Sequence, residues 1–216
     1  WGTNHSPGRF RLFTGTMTTN LGTIFTNGVS GGYRVRVEWL QRTNELKLEW
    51  FGTWPNQYDV TSGLRDQSDR VQAAIDATPG DQGVLIIPEY WITITNSLVF
   101  TNWRGAYFGG ATAATRSPGY RYWPYPVSGF NWNGPTNLAM IKQHNVGHTT
   151  FANFGLDTRP PAQAAYWSNY ATLMIDADQL TGHITTTSAN RYSGMMFRER
   201  GTNAGLVGVR IANTSY

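Results

Sequence analysis

Residues 66 to 110 constrain the fold of this chain more than any other stretch. Asp66-Gln67-Ser68-Asp69 reads as a helix start: Asp66 can cap, and Asp69 can reach back and favour the positive helix end. Val71, Ala74 and Ile75 fall on one face at helical spacing, and Pro79-Gly80 stops the helix. After a Gly-containing turn, Val84-Leu85-Ile86-Ile87-Pro88 is a short apolar run of the kind that makes a strand buried on both faces. Ile92 and Ile94, then Leu98 and Phe100, continue at alternating spacing as far as Gly105 and Gly109-Gly110. A short helix therefore feeds directly into a long series of strands.

The flanking sequence continues that theme. Residues 1 to 30 are Gly-, Thr- and Asn-rich, with Phe10, Leu12, Phe13, Ile24 and Phe25 as apolar anchors, and read as loop and short strands. Tyr33, Val35, Val37 and Trp39 alternate with Arg34, Arg36 and Glu38. Leu46, Leu48 and Trp50 then alternate with Glu45, Lys47 and Glu49, after the polar loop Gln41-Arg42-Thr43-Asn44. This pattern predicts an antiparallel hairpin over 33 to 51 with one wet face and cross-strand charge pairs. Residues 111 to 135 hold closely spaced prolines and aromatics, and read as a long projecting loop that ends where Phe130-Asn131-Trp132 begins a strand. Residues 159 to 169, with Pro160-Pro161, read as a second projecting loop.

From residue 137 onward short strands recur with Gly/Asn turns and no helix between them: Leu138 to Ile141, Thr149 to Phe151, Leu173 to Ile175, His183 to Thr185 and Val207 to Ile211. This favours a solenoid whose rungs, about 4.8 Å apart, bury their faces only against their neighbours. An antiparallel sandwich is the rival fold. The helix and the lack of hairpin turns after residue 137 argue against it. We expect residues 1–58 to form a strand and hairpin extension and residues 59–216 the repetitive part. The chain starts at Trp1 and stops at Tyr216 inside a strand repeat, which points to a longer native protein.

Composition narrows the function. Only 14% of the 216 residues are charged, and the net charge of +4 arises from few acids (13) rather than many bases (17). With no Lys/Arg run, a nucleic-acid partner is not expected. No apolar stretch approaches the roughly 18 residues that cross a bilayer, so no membrane insertion is expected. The chain has no Cys, which excludes disulfides, thiol nucleophiles and Cys-ligated zinc.

The run Gln72 to Ala77, then Val84 to Tyr90, then Ile92 to Leu98 and a later Gly-rich turn, resembles the opening of the pectate-lyase superfamily. Trp50-Phe51-Gly52 is similar to the aromatic-Phe-Gly element that often precedes the family's helix. The resemblance covers roughly residues 48 to 110, and more loosely 130 to 216. It departs at Glu89-Tyr90-Trp91, where the family usually has a small residue and Gly before the aromatic. It implies an all-β chain, a right-handed parallel β-helix with an N-terminal capping α-helix. With the hairpin extension added, this is the expected fold class. It also implies a protein like phage tailspikes and secreted polysaccharide-degrading enzymes: an extracellular or virion-surface protein, a polysaccharide or cell-surface glycan as partner, and a homotrimer. No catalytic residue carries over from it.

Candidate chemistry comes from the residues themselves. Asp176 and Asp178 share one face of the Leu173 to Asp178 strand, about 6.5 Å apart by the strand rise. Asp157 lies 19 residues before Asp176, close to one rung, and completes an acidic trio. Such carboxylates could serve as acid and base in an inverting glycosidase. They could also coordinate Ca²⁺ for a lyase in which Arg191, Arg198 or Arg200 abstracts a proton. The competing reading is plain turn and strand-edge Asp. No dedicated metal site is expected, because His148 and His183 have no partner at ligand spacing. Nine Trp residues are a surplus, and Trp103, Trp123, Trp132, Trp167 and Tyr166 fall in or beside the predicted loops. There they could stack on sugar faces while Asn and Thr complete the hydrogen bonds. The competing reading has these rings covering the ends of the coil or packing between subunits. Two functions remain: polysaccharide recognition with or without cleavage, and a non-catalytic structural or adhesive role in a virion tail or surface filament.

Overall fold

The computed structural model describes residues 8–20, 22–26, 31–41, 44–55, 66–110, 128–135, 138–157, 173–178, 190–198 and 208–211. At the N-terminal side, β1 (Phe10–Thr14), β2 (Ile24–Thr26) and β3 (Gly32–Arg36) form an antiparallel sheet in the order β1-β3-β2. Then come helix α1 (Val37–Gln41), strand β4 (Glu45–Lys47), a 3-10 turn over Leu48–Phe51 and helix α2 (Ser68–Ala77). The remaining strands are β5 (Val84–Ile87), β6 (Trp91–Ile94), β7 (Leu98–Thr101), β8 (Tyr107–Gly110), β9 (Gly129–Trp132) and β10 (Ala139–His144). They continue with β11 (Thr150–Ala152), β12 (Gly155–Asp157), β13 (Leu173–Asp178), β14 (Arg191–Ser193), β15 (Met196–Arg198) and β16 (Gly208–Ile211).

From β5 onward every third strand pairs in parallel, and β4 joins its neighbour β5 in parallel. The sheets run β14-β11-β8-β5-β4, β15-β12-β9-β6 and β16-β13-β10-β7. This corrects the expected fold class. The described residues make four separate small sheets, three parallel and one antiparallel, with two helices, and not one right-handed parallel β-helix with a hairpin extension. The strands are three to six residues long. They are divided by left-handed turn residues such as Asn102, Asn145 and Asn153, so hydrogen bonding passes from sheet to sheet instead of running on.

The hairpin over 33 to 51 does not form. Gly32 to Arg36 pair antiparallel with β1 and β2, whereas Glu45 to Lys47 pair parallel with Val84 to Ile86. Period-two spacing shows which residues share a face but not which strand lies alongside. Leu46, Leu48, Trp50 and Phe51 are buried as expected, but the last three sit in the 3-10 turn.

The three parallel sheets share one core. Leu85 and Ile87 come from the first, Ile92, Phe130, Trp132 and Leu156 from the second, and Leu98, Phe100, Ile141 and Ile175 from the third. Phe108 is its aromatic centre, with ring centroids 4.9 Å from Phe100, 5.2 Å from Phe154 and 6.0 Å from Phe130 and Phe151. Strand β5 alternates: Leu85 and Ile87 are buried, while Val84 and Ile86 are half-buried, so it is fully buried on one face rather than two.

Helix α2 places Val71, Ala74 and Ile75 in the same core, and the Thr78 hydroxyl closes its end by donating to Ala74 O. It starts at Ser68, so Asp66 is not its cap. Instead Asp66 Oδ1 accepts from the Ser68 amide and hydroxyl and from the Thr95 amide. The Gln67 amide donates to Thr93 O, and the Gln72 side chain exchanges two hydrogen bonds with the Val99 backbone. These residues cover β6 and β7, each the terminal strand of its sheet, whose open backbone groups would otherwise invite further pairing.

Candidate functional site

Strands β6, β9, β12 and β15 present alternate residues outward while Ile92, Phe130 and Leu156 fill the core behind them. The register places Trp91, Gly129, Gly155 and Met196 in one outward column, with Thr93, Asn131, Asp157 and the register position of Arg198 in the next. Strands in such a ladder lie about 4.8 Å apart, and successive outward residues on one strand about 6.6 Å apart.

The first column has an unusual shape. A Cβ built on Gly129 would lie 2.8 Å from Cε3 and Cζ3 of Trp91, and one on Gly155 would meet Cζ2 at 2.9 Å and also Cη2. The six-membered part of the indole therefore lies across both glycines, which is why those positions carry no side chain. Met196 Cε would lie 3.1 Å from that Gly155 Cβ, so the methionine borders the ring at the end of the column. Trp91 is half-buried, which leaves part of a rigid aromatic surface at the exterior.

The second column is polar. Thr93 is fully buried and Asp157 is 4% exposed, and both are engaged in interactions, while Asn131 is half-buried. Residues 111–127 and 158–172 attach just before Ser128 and just after Asp157 in the chain, so both long insertions begin or end beside this sheet. Next to Trp91, the Tyr90 hydroxyl donates to Thr53 O at 2.8 Å. Burial, opposed by the hydrogen bond with the Thr53 hydroxyl and aided by the charge of Glu49, pushes the phenol up to about 12. Tyr90 thus stays protonated at neutral pH, a structural tie between the segment before α2 and β6, and not an acid or base.

The acidic trio of the sequence is not brought onto one ladder. Asp157 pairs with Asn131 and Arg198, whereas Asp176 pairs with Lys142 and Arg210, and Asp178 with His144, in a different sheet. The 19-residue interval fails as a rung because partner strands are joined by longer, unequal stretches of chain: Gly129 pairs with Gly155, and Ile141 with Leu98. Among the described residues no group of three or more His, Cys, Asp or Glu side chains is placed to hold a metal ion. Two of the proposed glycan-stacking rings are also relocated. Trp103 is 2% exposed and packs edge-on to Phe100 at 4.9 Å, and Trp132 is fully buried. Both belong to the core and have no face to offer a sugar. Trp123, Trp167, Tyr166, His183 and Arg200 lie outside the described residues. Arg191 starts β14 and is exposed.

No family model, curated protein or solved structure matches the chain. The likeness of residues 48–110 to the pectate-lyase superfamily accordingly stands on those motifs alone. Trp91 and Asn131 were not singled out by sequence reasoning. The alternation Trp91-Ile92-Thr93-Ile94 was the available signal, since it sets Trp91 opposite to the core face.

Proposed function

We propose that this chain is a polysaccharide-recognising protein acting outside the cell or at a virion surface, and that the outer face of the β6-β9-β12-β15 sheet is its glycan platform. The observation that carries this reading is the half-buried Trp91 ring lying across Gly129 and Gly155, with half-buried Asn131 in the next column. A partly exposed indole offers an apolar face to the C–H face of a sugar ring, and the half-buried Asn131 amide in the next column can satisfy one of its hydroxyls. The stack of parallel strands behind it holds the ring in place before any ligand arrives, which lowers the ordering cost of binding.

A specific observation favours the non-catalytic form of this reading, an adhesive or structural component. Asp157 is the one acid in the described part of this face, and it is 4% exposed and already engaged. A general acid or base must reach the proton that it transfers. The test is retention of the full chain on a panel of immobilised acidic and neutral polysaccharides. The same panel is assayed with and without Ca²⁺ for new reducing ends and for the ultraviolet absorbance of unsaturated sugars. Retention without product is the expected result. Product that Asp157→Asn abolishes would make the protein an enzyme, and no retention on any polysaccharide would overturn the proposal.

A further inference from the structure

A second polar feature lies where β7 turns into β8 and β10 turns into β11. The two turns are stacked, because Asp81 bridges in parallel to Arg104 and Arg104 to Gly147. Asn102 and Asn145 hold matching left-handed conformations, φ 59° and 54°, that short amide side chains tolerate. Their side chains form a directed chain: Arg104 Nη2 donates to Asn145 Oδ1 at 2.5 Å, and Asn145 Nδ2 donates to Asn102 Oδ1 at 2.6 Å. This arrangement consumes acceptors and leaves donors. What remains is the Asn102 amide and the rest of the Arg104 guanidinium, with exposed His148 beside Gly147. Arg104 is half-buried and forms no ion pair with any described residue, so no carboxylate there neutralises it. Asp81 flanks Arg104 through the backbone and is exposed, but makes no ion pair with it.

We propose that this corner is an oxyanion subsite that takes a phosphate or sulfate group, free or esterified on a polymer. Arg104 supplies the charged fork and Asn102 a second donor. A guanidinium already held by Asn145 loses little rotamer freedom on binding, and its planar donors match the oxygens of such a group. The subsite does not depend on Trp91 and is independent of the glycan platform.

The test follows side-chain amide and guanidinium resonances of the full chain during titration with sodium phosphate and sodium sulfate, at ionic strength held constant with chloride. Dextran sulfate and unmodified dextran form a second pair of probes. Saturable shifts at Asn102, Asn145 and Arg104 are expected, with Arg104→Met weakening binding by about tenfold or more. Asp81→Asn, which removes a neighbouring negative charge and no contact of the ladder, should bind several-fold more tightly. Saturation by the inorganic ions assigns a free anion, and saturation by dextran sulfate alone assigns a polymer-borne ester. Trp91→Ala should leave both unchanged. Shifts that never saturate, that equal those in chloride, or that persist in Arg104→Met would overturn the proposal.

Discussion

Replacing Phe108 by Ala tests whether the three parallel sheets are one cooperative unit. Phe108 is fully buried and has ring partners in all three: Phe151 in its own sheet, Phe130 in the second and Phe100 in the third, with Phe154 and Trp103 between strands. Truncating a buried Phe to Ala costs about 3–5 kcal/mol, and each lost aromatic pair adds about 0.5–1.5 kcal/mol beyond burial, without strict additivity. With five ring partners, the upper half of the first range is expected. For a chain of this length that corresponds to a fall in Tm of roughly 8–20 °C. Phe108→Leu keeps most of the volume and should cost less than about half as much. The assay is urea unfolding followed by near- and far-ultraviolet circular dichroism, with amide hydrogen exchange at Leu85, Ile92 and Ile141 as one reporter per sheet. Exchange should accelerate at all three. A loss under about 1 kcal/mol, or acceleration confined to Leu85, would refute the shared core.

Two other substitutions probe the site and its support. Gly155→Ala would force the Trp91 ring off the sheet, so glycan retention should fall sharply while stability drops by only about 1–3 kcal/mol; unchanged retention would show that the ring position is immaterial. Burial pushes the Asp66 carboxyl up, but hydrogen bonds from Ser68 and Thr95 outweigh it and hold its pKa below the ordinary value. The stabilisation is therefore complete above the unfolded pKa of about 3.9 and is lost as pH falls through the lower folded value. In a pH series of unfolding midpoints, Asp66→Asn should flatten this acid limb. A variant with the same acid limb as the parent would remove Asp66 from the account.

The positions of several elements, though not the expected fold class, were legible because they rest on local periodicity. Helix α2, the buried faces of β5 to β7 and the strands at 139, 150, 173 and 208 follow from spacing and turn residues. Partner choice was not legible. Val35 and Leu46 show the alternation of a hairpin, yet one pairs antiparallel toward β1 and the other parallel with Leu85, because both neighbours bury the same apolar face. Trp103 and Trp132 were placed at loops by proximity to Gly and Pro. In β9, however, Trp132 shares the inward face with Phe130, and the Phe100 side chain receives Trp103 edge-on. Trp91 stayed hidden for the opposite reason. The residues that make room for it, Gly129 and Gly155, are distant in sequence and meet it only through the register.

The most direct measurement of the central claim compares Trp91→Ala and Trp91→Phe with the parent on the polysaccharide that the parent retains best, by affinity electrophoresis. Removing a stacking ring should weaken binding by about tenfold or more, which corresponds to about 1.4 kcal/mol, while Phe keeps an aromatic face and should retain most of the affinity. Equal binding by Trp91→Ala and the parent, with both folded, would contradict the assignment of this face as the glycan platform.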